Sequence, residues 1–156
     1  MEQAQQLIYL EAALRETLRL YPSVPCMIKN ATRDVVFGDG TFIEKGTRVG
    51  LPVYAMGRMT YLWGPDAEDF KPERWIDTET GKLIHVSPYK FVSFNAGPRT
   101  CLGVKLALLE MKIVASSVLS RFNIEVLKPE EVKYDVSLTL PIHGELRTKV
   151  HVARAA

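Results

Sequence analysis

The sequence predicts a mainly α-helical fold that also contains small β-sheets. Two segments have helical apolar patterns, several short β-type runs lie around glycine turns, and a long stretch between them has no sustained period. The chain of 156 residues is 47% hydrophobic and 24% charged, which is typical of a globular domain and excludes whole-chain disorder. A formal net charge of +2, without a run of lysines and arginines, argues against a nucleic-acid partner.

The first main helix is predicted over Glu2 to Leu20. Pro22 ends it, since proline restricts the residue before it and cannot donate to a continuing helix. The helical pattern starts directly after Met1, with no linker or cap, which indicates a truncated chain; the two interpretations are a soluble single domain and a piece of a longer protein. No signal sequence is found, and no apolar run is long enough to span a membrane. Leucines at steps of three and four form its apolar stripe: Leu7, Leu10, Leu14 and Leu18.

Short β-type runs follow the first helix. Arg33 to Phe37 and Thr41 to Ile43 flank Gly38-Asp39-Gly40, which predicts a hairpin. A third strand is predicted over Thr47 to Leu51, and one helical turn over Tyr54 to Arg58.

The rest of the chain contains an irregular stretch, the second main helix and further strands. Thr60 to Asn95 mixes proline, glycine, aspartate and aromatic residues without a period, which is typical of a functional loop or of packing around another group. The second helix is predicted over Leu102 to Arg121 and is apolar on most of its surface. Strands are predicted over Asn123 to Leu127, Tyr134 to Leu140 and Arg147 to Ala153.

Cys101 lies in a loop immediately before the second helix. The positive end of that helix and its unpaired backbone N–H groups favour a thiolate there. Gly97 permits a tight loop and Gly103 a close approach. Phe94 can shield the sulfur from water, and Arg99 supplies a cation suited to a carboxylate. This combination indicates a cysteine that ligates a metal beside a flat anionic cofactor; the alternative is a small buried apolar cysteine.

Two polar sites far apart in the sequence could meet. Glu16 and Arg19 are spaced i, i+3 on the first helix, and Arg74 lies in the irregular stretch within the segment PERW. On spacing alone the first pair is an exposed ion pair worth about 0.2–0.5 kcal/mol. If Arg74 also reaches Glu16, the cluster would fix the placement of the long loop more than it would stabilise the fold.

Three motifs together resemble one family. FNAGPRTCLG is similar to the haem-binding loop of the cytochrome P-450 family, F-x-x-G-x-R-x-C-x-G, at every specified position. ETLR matches that family's E-x-x-R helix motif, and FKPERW matches its P-E-R segment. The resemblance covers essentially the whole chain and implies the C-terminal part of a cytochrome P-450 fold. Residues 1–156 would then be part of one domain, on the proximal haem side, without its N-terminal and central distal helices.

The resemblance implies a cofactor and its contacts. Cys101 would be the axial ligand of the iron in haem b, and Arg99 would bind a haem propionate. Lys29 falls where the family often places another basic propionate partner, although a solvated lysine is the alternative. The remaining residues of the cofactor loop would be Phe94, Gly97 and Gly103. The family's structural triad, which performs no chemistry on substrate, would be Glu16, Arg19 and Arg74.

The resemblance also implies a reaction and partners. One oxygen atom from O2 would enter a C–H bond of an apolar substrate, such as a fatty acid, with electrons from NADPH through a reductase. The sequence of the chain is most similar to the sequences of eukaryotic fatty-acid ω-hydroxylases, whose full-length forms reside in the endoplasmic reticulum membrane. Substrate contacts would come from Ser23 to Ile28 and Leu138 to Ile142, unless these are ordinary strand packing. Lysines that could dock an acidic reductase face, or be ordinary surface charges, are Lys90, Lys105 and Lys112.

Two functional hypotheses remain open from the sequence. In the first, the chain is part of a haem-thiolate monooxygenase whose oxygen-activating residues lie outside it, so no catalytic residue is expected among residues 1–156. In the second, the chain is a non-enzymatic haem-binding remnant or a truncated product without catalysis. In either case the apolar helix faces would lack partners and favour aggregation or partner binding.

Overall fold

The computed structural model describes residues 7–135 and 137–153. Its two main helices are α1 (Ile8–Leu20) and α4 (Val104–Leu119), and two single-turn helices are α2 (Val53–Met56) and α3 (Thr60–Trp63). The strands are β1 (Met27–Asn30), β2 (Val35–Val36), β3 (Phe42–Ile43), β4 (Arg48–Leu51), β5 (Phe122–Val126) and β6 (Thr148–Val152).

The helix predictions are largely confirmed. Helix α1 ends at Leu20, as the proline that follows predicts, and residues 2–6 of the predicted helix lie outside the described residues. Helix α4 is shorter than its predicted span by two residues at each end, because Gly103 is the N-cap and Ser120 the C-cap. Among the described residues, no helix combines the length and the apolar character that a membrane crossing requires.

Three two-stranded antiparallel sheets form around the helices. Strands β2 and β3 make the predicted hairpin, in shorter form, with Val35 opposite Ile43. Strand β4 pairs with β1, in which Met27 lies opposite Leu51, so the segment after the first helix is partly a strand. Strands β5 and β6 close the last sheet, with Phe122 opposite Val152.

The prediction of a strand over Tyr134 to Leu140 is wrong. Only an isolated bridge joins Tyr134 to Ile142, and Val136 lies outside the described residues. The N–H of Ser137 donates to the carbonyl of Thr139 at 3.1 Å, so the backbone turns locally instead of extending along a partner.

The irregular stretch is more ordered than its sequence indicates. It contains α3 and two turns of 3-10 helix, Pro72–Trp75 and Val92–Phe94. Elements of three or four residues are too short for a periodic pattern, which is why the sequence of this stretch shows none.

The buried core lies between α1 and this stretch. It is centred on two tryptophans whose ring centroids are 5.7 Å apart, and the Phe91 ring packs edge-on against Trp75 at 4.8 Å. The fully buried members of the core are Ala12, Trp63, Ala67 and Trp75. Helix α4 and the last sheet, by contrast, expose large apolar side chains: Leu106, Ile113, Val114, Leu119, Ile124, Val150 and Val152.

Candidate functional site

The cysteine loop, residues 91–103, folds back on itself before α4. The backbone N–H of Cys101 donates to the carbonyl of Phe94 at 2.8 Å. Between them the chain passes through two left-handed positions, Asn95 with φ 64° and Gly97 with φ 68°. Glycine suits such a φ because it has no Cβ, and a Cβ at Gly97 would also lie 3.6 Å from the hydroxyl of Tyr89.

The Cys101 thiol and the Arg99 side chain are both exposed at the surface of this loop. A Cβ placed on Gly103 would lie 3.9 Å from the Cys101 sulfur, an ordinary contact, and Gly103 has φ −86°. The protein atoms alone therefore give no reason for glycine at this position. Phe94 is half-buried, with its ring 6.1 Å from that of Phe91.

Lys29 is brought to the same loop from β1. Its Nζ lies 3.3 Å from Oδ1 of Asn95, and the same oxygen accepts the N–H of Ala96 at 2.9 Å. Sequence reasoning missed Asn95, although asparagine is among the few residues that tolerate a left-handed backbone and hydrogen-bond locally. The contact places a cation next to the cysteine loop.

The Glu16 cluster forms a second polar group, buried against α1. Glu16 and Arg19 are 0% and 1% exposed, and two hydrogen bonds of 2.7 Å join them. Nε of Arg74 lies 3.3 Å from Oε1 of Glu16, so the structure brings the three predicted residues together. Two donors that the sequence did not indicate, the backbone N–H of Lys71 and Nε1 of Trp75, also reach Glu16, each at 2.9 Å.

The two arginines of this cluster hold the irregular stretch by its backbone. Arg19 donates to the carbonyls of Gly57, Ala67 and Asp69. Arg74 donates to the carbonyls of Trp63 at 2.7 Å and Asp66 at 2.8 Å. Backbone carbonyls of this region are thus hydrogen-bonded to guanidinium groups, where a regular helix or sheet would supply backbone N–H groups.

The surroundings of Glu16 and Asp66 favour the charged form of both carboxylates. Burial raises the pKa of Glu16, but hydrogen bonds from Arg19, Lys71 and Trp75 outweigh it and hold the pKa below its ordinary value of 4.5. At Asp66, hydrogen bonds from Lys71 and then Arg74 lower the pKa from 3.8 to about 2.

The three lysines predicted to dock a reductase lie in different environments. The prediction is wrong for Lys112, which is 5% exposed and has its Nζ 2.6 Å from Oε2 of Glu11. Lys90 is half-buried, with Nζ 4.5 Å from the centre of the Trp63 ring. Only Lys105 is exposed. A lysine in a mostly apolar helix is rarely buried without a charged partner. The partner of Lys112 is Glu11, which lies 101 residues away in the sequence.

The two segments predicted to contact substrate lie side by side. The N–H of Leu140 donates to the carbonyl of Ser23 at 3.1 Å. Nearby, the hydroxyls of Tyr54 and Tyr134 are 3.4 Å apart, and the Arg58 guanidinium stacks 3.7 Å from the centre of the Tyr54 ring. A cleft of about 720 Å³ lies elsewhere, around Lys128, Glu131, His143 and Arg147.

The family model described as Cytochrome P450 matches residues 1–144. The chain belongs to the cytochrome P-450 family. Its relatives include cytochrome P-450 704C1 of Pinus taeda, 49% identical over 88% of this chain and 26% of the relative. Alkane hydroxylase MAH1 of Arabidopsis thaliana is 42% identical over 96% of this chain and 30% of its own length.

The percentage of sequence identity over this region does not distinguish relatives whose names indicate different reactions. Noroxomaritidine synthase 2 from Narcissus aff. pseudonarcissus MK-2014 is 41% identical over 94% of the chain, almost the same value as the alkane hydroxylase. The chain spans between about a quarter and three tenths of the length of these cytochrome P-450 relatives. The family is one of haem-dependent monooxygenases.

Proposed function

We propose that this chain supplies the proximal, haem-ligating part of a cytochrome P-450 monooxygenase. The observation that carries the proposal is Cys101 itself. Its thiol is free and exposed, and its backbone N–H is fixed to the carbonyl of Phe94 in a loop that ends at the start of α4. In this proposal residues 1–156 belong to one domain, and the remaining helices of the family fold lie outside the chain.

The residues around Cys101 suit haem b. The thiolate of Cys101 would ligate the iron, and the exposed guanidinium of Arg99 would pair with one propionate. Lys29, now bonded to Asn95, would be a second cation for the propionates. The absence of a side chain at Gly103, which the protein atoms do not require, would let the porphyrin plane approach the loop.

Each group in this part of the protein has a separate task in the proposed reaction. When bound, haem supplies the activation of O2 and the insertion of one oxygen atom into a C–H bond. Cys101 would hold the iron and donate electron density to it, while Arg99 and Lys29 would orient the propionates. The Glu16 cluster would keep the irregular stretch in place and would not contact substrate. No residue of this chain is proposed to transfer a proton to oxygen.

The proposed substrate is an apolar chain such as a fatty acid or a long hydrocarbon. Support comes from a relative named as an alkane hydroxylase and from the contact between Ser23 and Leu140, whose segments carry apolar side chains. Electrons would come from NADPH through a reductase, with Lys105 as the exposed lysine near the cysteine loop. The full-length protein would act at the endoplasmic reticulum membrane.

A carbon-monoxide difference spectrum tests the ligand assignment. In the haem-loaded, reduced protein we expect the strongly red-shifted band of a thiolate-ligated haem, lost in Cys101→Ala. Cys26→Ala is the matched control, because Cys26 is the other exposed free cysteine. A band that survives Cys101→Ala would refute the assignment, and a wild-type protein without the band would favour a non-enzymatic role.

Substrate titration tests the chemical class. We expect a fatty acid and an alkane of the same carbon number each to shift the haem absorption spectrum of the haem-loaded protein. If a polycyclic alkaloid precursor shifts the spectrum and neither chain does, the proposed substrate class is wrong.

A further inference from the structure

Helix α1 holds the cysteine loop at two points. On the N-terminal side of Cys101, the hydroxyl of Ser93 donates to the carbonyl of Leu18 at 2.8 Å. On its C-terminal side, Nζ of Lys112 in α4 lies 2.6 Å from Oε2 of Glu11. Glu11 and Leu18 are two helical turns apart, about 10 Å along one face of α1. Cys101 therefore lies in a segment whose two ends are attached to the same short helix.

The Glu11–Lys112 pair is the more constrained of the two attachments. Its side chains are 13% and 6% exposed, and the second oxygen of Glu11 accepts two hydrogen bonds from Arg15, at 2.6 and 3.1 Å. Burial opposes the charge on Glu11, but the bonds from Lys112 and Arg15 keep its pKa below the ordinary value. The Arg15 guanidinium lies 5.9 Å from the centre of the Trp75 ring.

A buried ion pair is a poor source of stability but a good device for fixing one arrangement over another. Helix α4 is apolar on most of its surface, and apolar contact, which has no direction, specifies its register against α1 less sharply than a charge pair does. Lys112 is the buried charge of α4, and it meets its partner in one register of the two helices. A shift of α4 by one turn would move the Cys101 loop by about 5 Å.

We infer that Glu11 and Lys112 are positioning residues for the cysteine ligand, because their ion pair sets the register of α4 on α1. The inference rests on the proposed haem-thiolate function. Neither residue belongs to the cysteine loop; both would act through the helix that follows Cys101.

The test uses a variant that lacks both charges of the pair, so that an effect on the register of the helices can be told apart from an effect on the stability of the fold. Glu11→Met with Lys112→Met keeps the volume roughly constant and removes both charges of the pair, while Arg15, which loses its carboxylate, is 23% exposed and can turn its guanidinium to water. Lys112→Met alone leaves Glu11 buried without its lysine. Lys112→Arg keeps the charge. The matched control is Lys128→Met, since Lys128 forms a pair of the same 2.6 Å length with Glu131 at the exposed surface.

The first readout is the ratio of thiolate-ligated to thiolate-free carbon-monoxide complex in the haem-loaded protein, at equal folded fraction. We expect the double methionine variant to lower this ratio about tenfold, the lower end of the effect of residues that orient a metal ligand. Lys112→Arg should largely restore it, and Lys128→Met should leave it unchanged. A double methionine variant with the wild-type ratio would overturn the inference.

The second readout needs no haem. Hydrogen exchange of the Cys101 amide reports its bond to the Phe94 carbonyl. At matched global stability, we expect faster exchange in the double methionine variant than in Lys128→Met. Equal exchange in the two would overturn the inference. If wild-type protein forms no thiolate complex, the proposed function fails, and this measurement still decides whether the pair positions the loop.

Discussion

Replacing Glu16 with glutamine removes one charge from the most buried ionic group in the described part of the chain. The carboxylate accepts five hydrogen bonds: three reach Oε1, from Arg19, Arg74 and the Lys71 N–H, and two reach Oε2, from Arg19 and Trp75. Glutamine has the same shape, so no cavity forms. Its NH2 group must face at least two donors whichever way the amide is turned, and donors cannot bond to donors.

The expected loss in the free energy of unfolding is about 3–5 kcal/mol, the typical result of removing one partner of a buried ion pair. Arg19, whose side chain is 0% exposed, would then carry a buried charge without its carboxylate. Urea denaturation of the wild-type protein and of Glu16→Gln measures the difference. Glu131→Gln is the control, because its pair with Lys128 is exposed and should contribute at most about 1 kcal/mol.

A loss below about 1 kcal/mol for Glu16→Gln would refute the reasoning, since the cluster would then behave like a surface pair. The cluster is also expected to be structural only. Folded Glu16→Gln molecules that bind haem should therefore keep the thiolate band, in contrast to Cys101→Ala.

Three further predictions follow from single positions. A Cβ at Gly57 would overlap the backbone carbonyl of Arg19, so Gly57→Ala should cost about 1–3 kcal/mol in urea denaturation, whereas Gly38→Ala, with no atom within 4 Å of the added Cβ, should cost far less. The pKa of Asp66 is lowered from 3.8 to about 2, so its stabilising contribution is present above pH 3.8 and is lost as the pH falls towards about 2; the acid side of a stability–pH curve should flatten in Asp66→Asn, and an unchanged curve would contradict this. Lys29→Met should speed haem loss to a scavenger protein a few-fold if Lys29 is a propionate cation; an unchanged rate would leave Lys29 only its contact to the loop.

The two main helices could be predicted because their signal is local. Leucines at three- and four-residue steps mark α1, and a sixteen-residue segment rich in apolar side chains marks α4. The partner of β4 could not be predicted, because β1 lies on the far side of the β2–β3 hairpin and its sequence has no strong alternation. The strand predicted over Tyr134 to Leu140 failed for the same reason: β-type residues form a strand only where a partner accepts their hydrogen bonds.

The residues of the candidate site also fall into two groups: those whose proximity the local sequence reveals and those whose proximity only the fold reveals. Cys101 and Arg99 stand in one contiguous motif, so their proximity is given by the covalent chain. Arg74 could be linked to Glu16 only through a resemblance to other proteins, because 58 residues separate the two. The sequence could not show that Lys112 is buried against Glu11, because nothing near Lys112 in the sequence indicates that contact.

The irregular stretch between α3 and the cysteine loop shows why periodicity fails there. Its order comes from guanidinium groups that bond the carbonyls of Asp66, Ala67 and Asp69 within it, and of Gly57 and Trp63 before it. Such bonds require no repeat in the sequence, only two arginines kept in place by one buried carboxylate. Because Trp75 bonds that carboxylate and packs on Phe91, which begins the cysteine loop, the same network extends to the loop that carries the proposed ligand. Buried charges in α1 therefore order the stretch that leads into the loop carrying Cys101.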